Sequence, residues 1–307
     1  MGTGRGETGP SKKDRREQAR EHARLMREEA QKKARRRKWW IQGSVGIAVV
    51  AVLAIVALVI VNAAKPEGPG PKNMASDGIV LTSTTKALRT PALSAGEKST
   101  PTAQSDKGDV AHITIYLDYQ CPYCQQFEKT NGTQIGQWLD QGLATLEIHP
   151  LSLLDRSSLG NRYSSRAANA AACVANYKPD SYYKVNTTLF ADQPAENTKG
   201  MSNEKLLSIL KDGGASSSAI TSCVNDEQFK GWVNASTQRA STEPVPNSKP
   251  VIKGITGTPT VLVDGSQYQG QLDDASAFQS FVASVMNAEV KNSTASPTPT
   301  PTPTATK

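Results

Sequence analysis

The chain has 307 residues, with 35 Lys and Arg against 28 Asp and Glu, a formal net charge of +7. At 37% hydrophobic residues it can bury a core, which excludes disorder from end to end, and four cysteines are too few for a disulfide-built scaffold. Residues 1–38 carry 14 basic and 6 acidic residues while the remainder is close to neutral, so no nucleic-acid partner is expected from the charge.

Residues 1–40 form a basic segment, with helical character over 12–38, that ends on Arg35, Arg36, Arg37 and Lys38. Residues 41–62 read as one transmembrane helix: no charge falls between Trp39 and Ala64, and Val45–Val61 is apolar apart from Gly46. Trp39 and Trp40 stand where an interfacial aromatic belt lies. The positive-inside rule places the N-terminus in the cytoplasm and everything from Lys65 onward outside. The expectation is a single-pass protein of the cell membrane, in contact with lipid through 41–62. The alternative is a signal peptide cut after Ala63, for which both the basic region and the apolar run are long.

Residues 63–77, with Lys65-Pro-Glu-Gly-Pro-Gly-Pro71, read as a linker. The folded part is expected over 78–290. Ile79–Leu81 is a candidate first strand, and a Ser/Thr/Gly/Pro-rich stretch follows it to about Gly108. Val110–Leu117 alternates with Ile113, Ile115 and Leu117 on one face, the period of a strand. A helix follows from Cys121 to Gln141, with a break expected near Asn131-Gly132, and then a strand at Ala144–His149.

A helical insertion covers about 152–248. Within it Ala167, Ala171 and Val174, and then Leu206, Leu207 and Leu210, recur at helical spacing. Asn225 and Gln228 suggest a capping box opening a helix that carries Phe229 and Val233. Thr260–Val263, Asp264-Gly265 and Ser266–Gln269 signal a hairpin with a type I′ turn. Asp273 is placed to cap a last helix whose apolar face is Phe278, Phe281, Val282 and Val285. Residues 291–307, rich in Pro and Thr, are expected to be an unfolded tail. The element order gives an α/β plan with a helical insertion.

Cys121-Pro122-Tyr123-Cys124 directly follows a strand and opens a helix. There Cys121 faces unpaired N–H groups and the positive end of the helix dipole, which stabilise a thiolate. Pro122 suits a first turn that needs no N–H. Thiol–disulfide exchange through a mixed disulfide is the chemistry this arrangement favours. Half of a zinc site is the weaker alternative, because only His112 and His149 could add histidine ligands on that side of the membrane; no metal is expected. A purely structural disulfide is the other alternative. Cys173 and Cys223, 50 positions apart, are expected to form a structural disulfide in an oxidising compartment, against two free buried thiols.

Tyr116-Leu-Asp-Tyr-Gln-Cys-Pro-Tyr-Cys124 together with Gly257-Thr-Pro-Thr-Val-Leu-Val-Asp-Gly265 resembles the DsbA-like group of the thioredoxin superfamily, in its membrane-anchored actinobacterial form. The resemblance implies a thioredoxin fold with an inserted helical domain, here preceded by one transmembrane helix. It implies Cys121 as nucleophile, Cys124 as resolving thiol, and Pro122 and Tyr123 as tuners of the redox potential. It implies Thr258 and Pro259 as a cis-proline loop against which an extended substrate pairs. One departure is plain: the family's buried acid, six residues before the first cysteine, is Ile115 here, and Asp118 is expected to be exposed.

The expected function is an extracytoplasmic thiol–disulfide oxidoreductase that donates its disulfide to exported proteins as they fold. The resemblance implies a membrane reoxidase, quinone-linked, and no cofactor beyond the redox disulfide itself. The alternatives are a reductase or isomerase, and a non-catalytic binding or chaperone-like module on the same scaffold.

Overall fold

A computed structural model describes residues 68–104 and 110–294, with side chains to 288. The basic segment and the membrane span expected over 1–62 lie outside the described residues, as do 63–67 and 295–307. Among the described residues no helix is long and apolar enough to cross a membrane.

Six strands form one sheet: β1 (Ile79–Ser83), β2 (Lys86–Ala87), β3 (Ala111–Leu117), β4 (Ala144–Pro150), β5 (Thr260–Val263) and β6 (Ser266–Gln267), in the order β2-β1-β4-β3-β5-β6. At its centre β3 and β4 run parallel, from Ala111 opposite Ala144 to Leu117 opposite Pro150. Parallel neighbours need a crossover, and α1 (Pro122–Asp140) supplies it. β1 flanks β4 and β5 flanks β3, both antiparallel. The alternation of Ile113, Ile115 and Leu117 buries all three, as the strand period requires. The hairpin forms as expected, with Asp264 at φ 47° and Gly265 at φ 84°, although β6 is only two residues long.

The break expected near Asn131-Gly132 is absent, and α1 runs through it. Asn131 is fully buried and donates from Nδ2 to the Phe127 and Leu272 carbonyls (3.2 and 3.4 Å). Tyr183 donates its hydroxyl to the Gly132 carbonyl at 2.6 Å. A Cβ at Gly136 would lie 2.5 Å from the same hydroxyl. The close approach of the neighbouring helix falls at Gly136, while Gly132 gives that helix its carbonyl and does not end α1.

The helical insertion comprises α2 (Tyr163–Tyr177), α3 (Tyr182–Ala191), α4 (Asn203–Asp212), α5 (Ser218–Asn225) and α6 (Lys230–Thr242). α2 lies at its centre, and every residue from Tyr163 to Ala175 is buried. Its alanines let neighbouring helices pack close on several sides, so the one-sided pattern of a surface helix is lost. The disulfide Cys173–Cys223 joins α2 to α5 with a Cα–Cα distance of 6.0 Å.

Three boundaries differ from the sequence reading. Asn225 ends α5 instead of opening a helix, and α6 starts after Phe229, whose N–H donates to Asn169 Oδ1 at 2.8 Å. The last helix, α7 (Ala275–Thr294), is capped by Asp274 and not by Asp273: Asp274 Oδ1 accepts from the Ser276 and Ala277 amides at 2.9 and 3.0 Å. It also extends past 290, where the tail was expected to begin. Its Phe278 packs edge-on against Phe127 of α1, with ring centroids 5.2 Å apart.

The end of the linker reading is corrected as well, because residues 70–77 pack onto the domain. The Gly70 amide donates to the Leu93 carbonyl at 2.9 Å, and Met74 is 1% exposed. Asp77 receives Arg239 Nε and Nη2, both at 2.8 Å, and Trp232 Nε1 at 3.2 Å. A bidentate ion pair with little access to water anchors this segment to α6.

Candidate active site

Three residues, Asp118–Gln120, turn the chain from the end of β3 into α1. The Cys121 amide donates back to the Asp118 carbonyl at 3.0 Å, so Cys121 becomes the N-cap of α1, at φ −75° and ψ 118°. It makes no side-chain cap bond, and Pro122 occupies the first helical position, as expected. Its sulfur is therefore left at the helix N-terminus, among unpaired amides.

Cys121 and Cys124 are both buried and not bonded to each other. The Cys121 thiol is lowered to about 6, chiefly by a hydrogen bond from the Cys124 thiol. Burial opposes the shift, while Thr258 and the backbone amides of Cys124 and Tyr123 add to it. Burial pushes the Cys124 thiol well above its ordinary value, and its contact with the Cys121 sulfur pushes the same way. Two thiols one helical turn apart are thus split into an ionised nucleophile and a protonated partner.

Thr258 closes the site from the opposite side. In its protonated form the Cys121 thiol donates to the Thr258 carbonyl at 3.2 Å, and the Thr258–Pro259 bond is cis. The structure thus brings together Cys121, Cys124, Thr258 and Pro259, drawn from two distant segments. Tyr123 is 62% exposed, on the outer face of the first turn. Cys173 and Cys223 are bonded to each other in the helical block. His112 binds the Thr145 hydroxyl at 2.8 Å, and His149 pairs with Glu147 at 3.2 Å and stacks on Tyr116.

Asp118 corrects the sequence reading: expected to be exposed, it is fully buried. Its Oδ1 accepts from the Gln120 amide and its Oδ2 from the Leu154 amide, each at 2.9 Å. It forms an Asx turn into Cys121 and ties that turn to the segment after β4. Burial is the largest influence on its carboxyl and raises it to about 6, against the amides that stabilise its charge. Ile115, where the family keeps its acid, is packed in the sheet opposite Ile148 and Val261.

A raised carboxyl favours the neutral form in the folded state. The stability it contributes is full below its unfolded value of ~3.9 and is lost as pH rises to about 6. Asp118→Asn does not titrate. Between pH 4 and pH 7 the wild type is therefore expected to lose about 2–3 kcal/mol relative to this variant. Urea unfolding of both proteins at the two pH values checks this; a difference that stays constant with pH contradicts it.

Sequence reasoning missed three glutamines around the site. Gln120 is fully buried and donates to the Ser157 carbonyl at 3.0 Å, and Gln125 donates to the Phe190 carbonyl at 2.6 Å. Gln193 donates to the carbonyls of Tyr119 and Cys121, at 3.0 and 2.9 Å. No local signal marks Gln193, which lies 72 positions from Cys121.

The family model described as thioredoxin matches residues 107–283. Among solved structures, oxidised DsbA of Mycobacterium tuberculosis is similar at 22% identity over 70% of this chain and 98% of its own, with a TM-score of 0.50. The reduced disulfide bond oxidoreductase DsbG of the same organism shares 24% identity over 61% and 86%, with a TM-score of 0.47. MdbA, a thiol-disulfide oxidoreductase from Actinomyces oris, shares 22% over 57% and 80%, with a TM-score of 0.46. No curated protein matches the chain. At these identities the shared property is the fold.

Proposed function

Because the chain belongs to the thioredoxin family, whose model spans more than half of it, we propose that it is a thiol–disulfide oxidoreductase that donates the Cys121–Cys124 disulfide to exported proteins as they fold. The observation that carries this is the split pair at the start of α1: a Cys121 thiol lowered to about 6 beside a Cys124 thiol raised by burial. A stabilised Cys121 thiolate stabilises the reduced form of the pair, and that makes its disulfide oxidising.

In the forward reaction a substrate thiolate attacks the Cys121 sulfur of the disulfide. The S–S bond breaks, and Cys124 leaves and takes up a proton, which its raised pKa favours. A second substrate thiolate then attacks the substrate sulfur of the mixed disulfide, and Cys121 leaves as a thiolate. The substrate has lost two electrons and the pair has gained them. A membrane reoxidase, quinone-linked, returns the pair to the disulfide. The loop at Thr258-Pro259 offers its backbone edge to an extended substrate chain.

Residues 1–62 support an anchor with the catalytic domain outside the cell, where disulfides persist. Detection of the full-length chain in membrane fractions agrees with this, and a soluble product starting near Ala64 contradicts it.

The exchange itself is tested by adding the oxidised protein to a reduced, unfolded substrate protein. Substrate disulfides are expected to form with equimolar loss of the Cys121–Cys124 bond. A Cys121–Cys124 bond that survives an excess of substrate thiols overturns the reading in favour of a non-catalytic module.

A further inference from the structure

The chain turns at the end of α3, where the Gln193 amide donates to the Phe190 carbonyl at 3.3 Å. This turn lies against the first turn of α1, and two glutamine side chains cross between them in opposite directions. From α1, Gln125 Nε2 reaches the Phe190 carbonyl at 2.6 Å. From the helical block, Gln193 Nε2 reaches the carbonyls of Tyr119 and Cys121. The contact is backed by Tyr119, whose ring lies 5.2 Å from that of Phe190 and whose hydroxyl donates to Asn186 Oδ1 at 3.1 Å.

The Cys121 carbonyl is the point of interest. It accepts from the amides of Cys124 and Gln125 at 3.1 and 3.2 Å, a shared arrangement common at a helix start. The bond from Gln193 is shorter than either, at 2.9 Å. Pro122 contributes no N–H, and the Cys121 side chain makes no cap bond. The peptide plane that carries the nucleophile is therefore held both by the first amides of α1 and from outside the thioredoxin elements. The main groups acting on the Cys121 sulfur are the Cys124 thiol, Thr258 and the amides of Tyr123 and Cys124. None of them is an ionised side chain, so the placement of the backbone decides how well the thiolate is solvated.

We propose that Gln193 is a positioning residue for Cys121: from the helical block it fixes the Cys121 carbonyl and so holds the nucleophilic sulfur over the Tyr123 and Cys124 amides of α1. This rests on the exchange chemistry above and deepens it, because it makes the inserted helical block part of the redox tuning. Pro122 and Tyr123 then share the setting of the potential with a residue far away in sequence.

The test is a thiolate absorbance titration of the reduced, full-length chain, comparing Gln193→Leu, Gln193→Glu and Gln125→Leu with the wild type. Gln193→Leu is expected to raise the Cys121 midpoint by about one unit, a tenfold loss of thiolate affinity for its site. Gln193→Glu turns a carboxylate toward two carbonyls and is expected to raise it further. Gln125→Leu cuts the same helix contact without touching the Cys121 carbonyl, and its midpoint is expected to stay at the wild-type value. Unchanged midpoints in both Gln193 variants overturn the proposal. So does an equal shift in Gln125→Leu, which makes the effect a general loosening of the contact. If Gln193→Leu does not fold, Gln193→Glu, of matched length, carries the comparison alone. The titration needs no substrate, so failure here is separate from failure of the exchange assay.

Discussion

Cys121→Ser is expected to lower the rate of disulfide donation to a reduced, unfolded protein at pH 7 by about 10³-fold or more. A hydroxyl cannot form the inter-sulfur bond, so neither the stored disulfide nor the mixed disulfide can exist. Cys124 cannot take over. Burial and the neighbouring Cys121 sulfur hold its thiol well above the ordinary range. Cys124→Ala has a different signature. It keeps the Cys121 sulfur, without the Cys124 hydrogen bond that chiefly lowers its thiol, and removes the group that resolves the intermediate. With a substrate that already carries a disulfide, the Cys121 thiolate attacks one sulfur and displaces the other as a thiolate, and the mixed disulfide that Cys124 would resolve should accumulate until reductant releases it. Non-reducing electrophoresis separates the two outcomes; wild-type rates for Cys121→Ser would move the chemistry away from this site.

The second large effect is on stability. Replacing both Cys173 and Cys223 by alanine is expected to cost about 2–5 kcal/mol. The bond closes a separation of 50 residues between α2 and α5, and both sulfurs lie in the core at 0% and 1% exposure. Loss of the cross-link enlarges the unfolded ensemble, and loss of the sulfurs also leaves space in a tightly packed region. For a domain of this size the melting temperature should fall by about 10 °C, at 2–4 °C per kcal/mol. Exchange activity at 25 °C should persist, because the Cys121–Cys124 pair is on another element. A melting temperature within about 2 °C of wild type contradicts a stabilising role.

The placement of the candidate site was legible because its signals are local. Cys121-Pro122-Tyr123-Cys124 after an alternating strand places two thiols on the first turn of a helix, where the structure has them. Asp264-Gly265 names the hairpin through its positive φ angles. Thr258-Pro259 was legible only through the family likeness, since nothing in composition joins it to residues more than a hundred positions away.

The errors share a cause. Asp118 reads as exposed because an acid at a strand end usually is, yet two backbone amides from separate segments make its burial tolerable. Asn131-Gly132 reads as a break until Tyr183 and Leu272 supply its partners. Residues 70–77 read as linker because the ion pair that holds Asp77 comes from Arg239, far along the chain. Gln193 carries no signal at all. In each case a tertiary hydrogen bond overrode a sound local expectation, and such bonds have no period or motif.

The direction of electron flow is the central claim, and a redox titration of the Cys121–Cys124 pair in the full-length chain tests it most directly. A thiolate stabilised at the start of α1, its thiol lowered to about 6, predicts a potential more oxidising than thioredoxin's ~−270 mV, which goes with a thiol near ~7. A value near ~−270 mV would contradict it and make the protein a reductase.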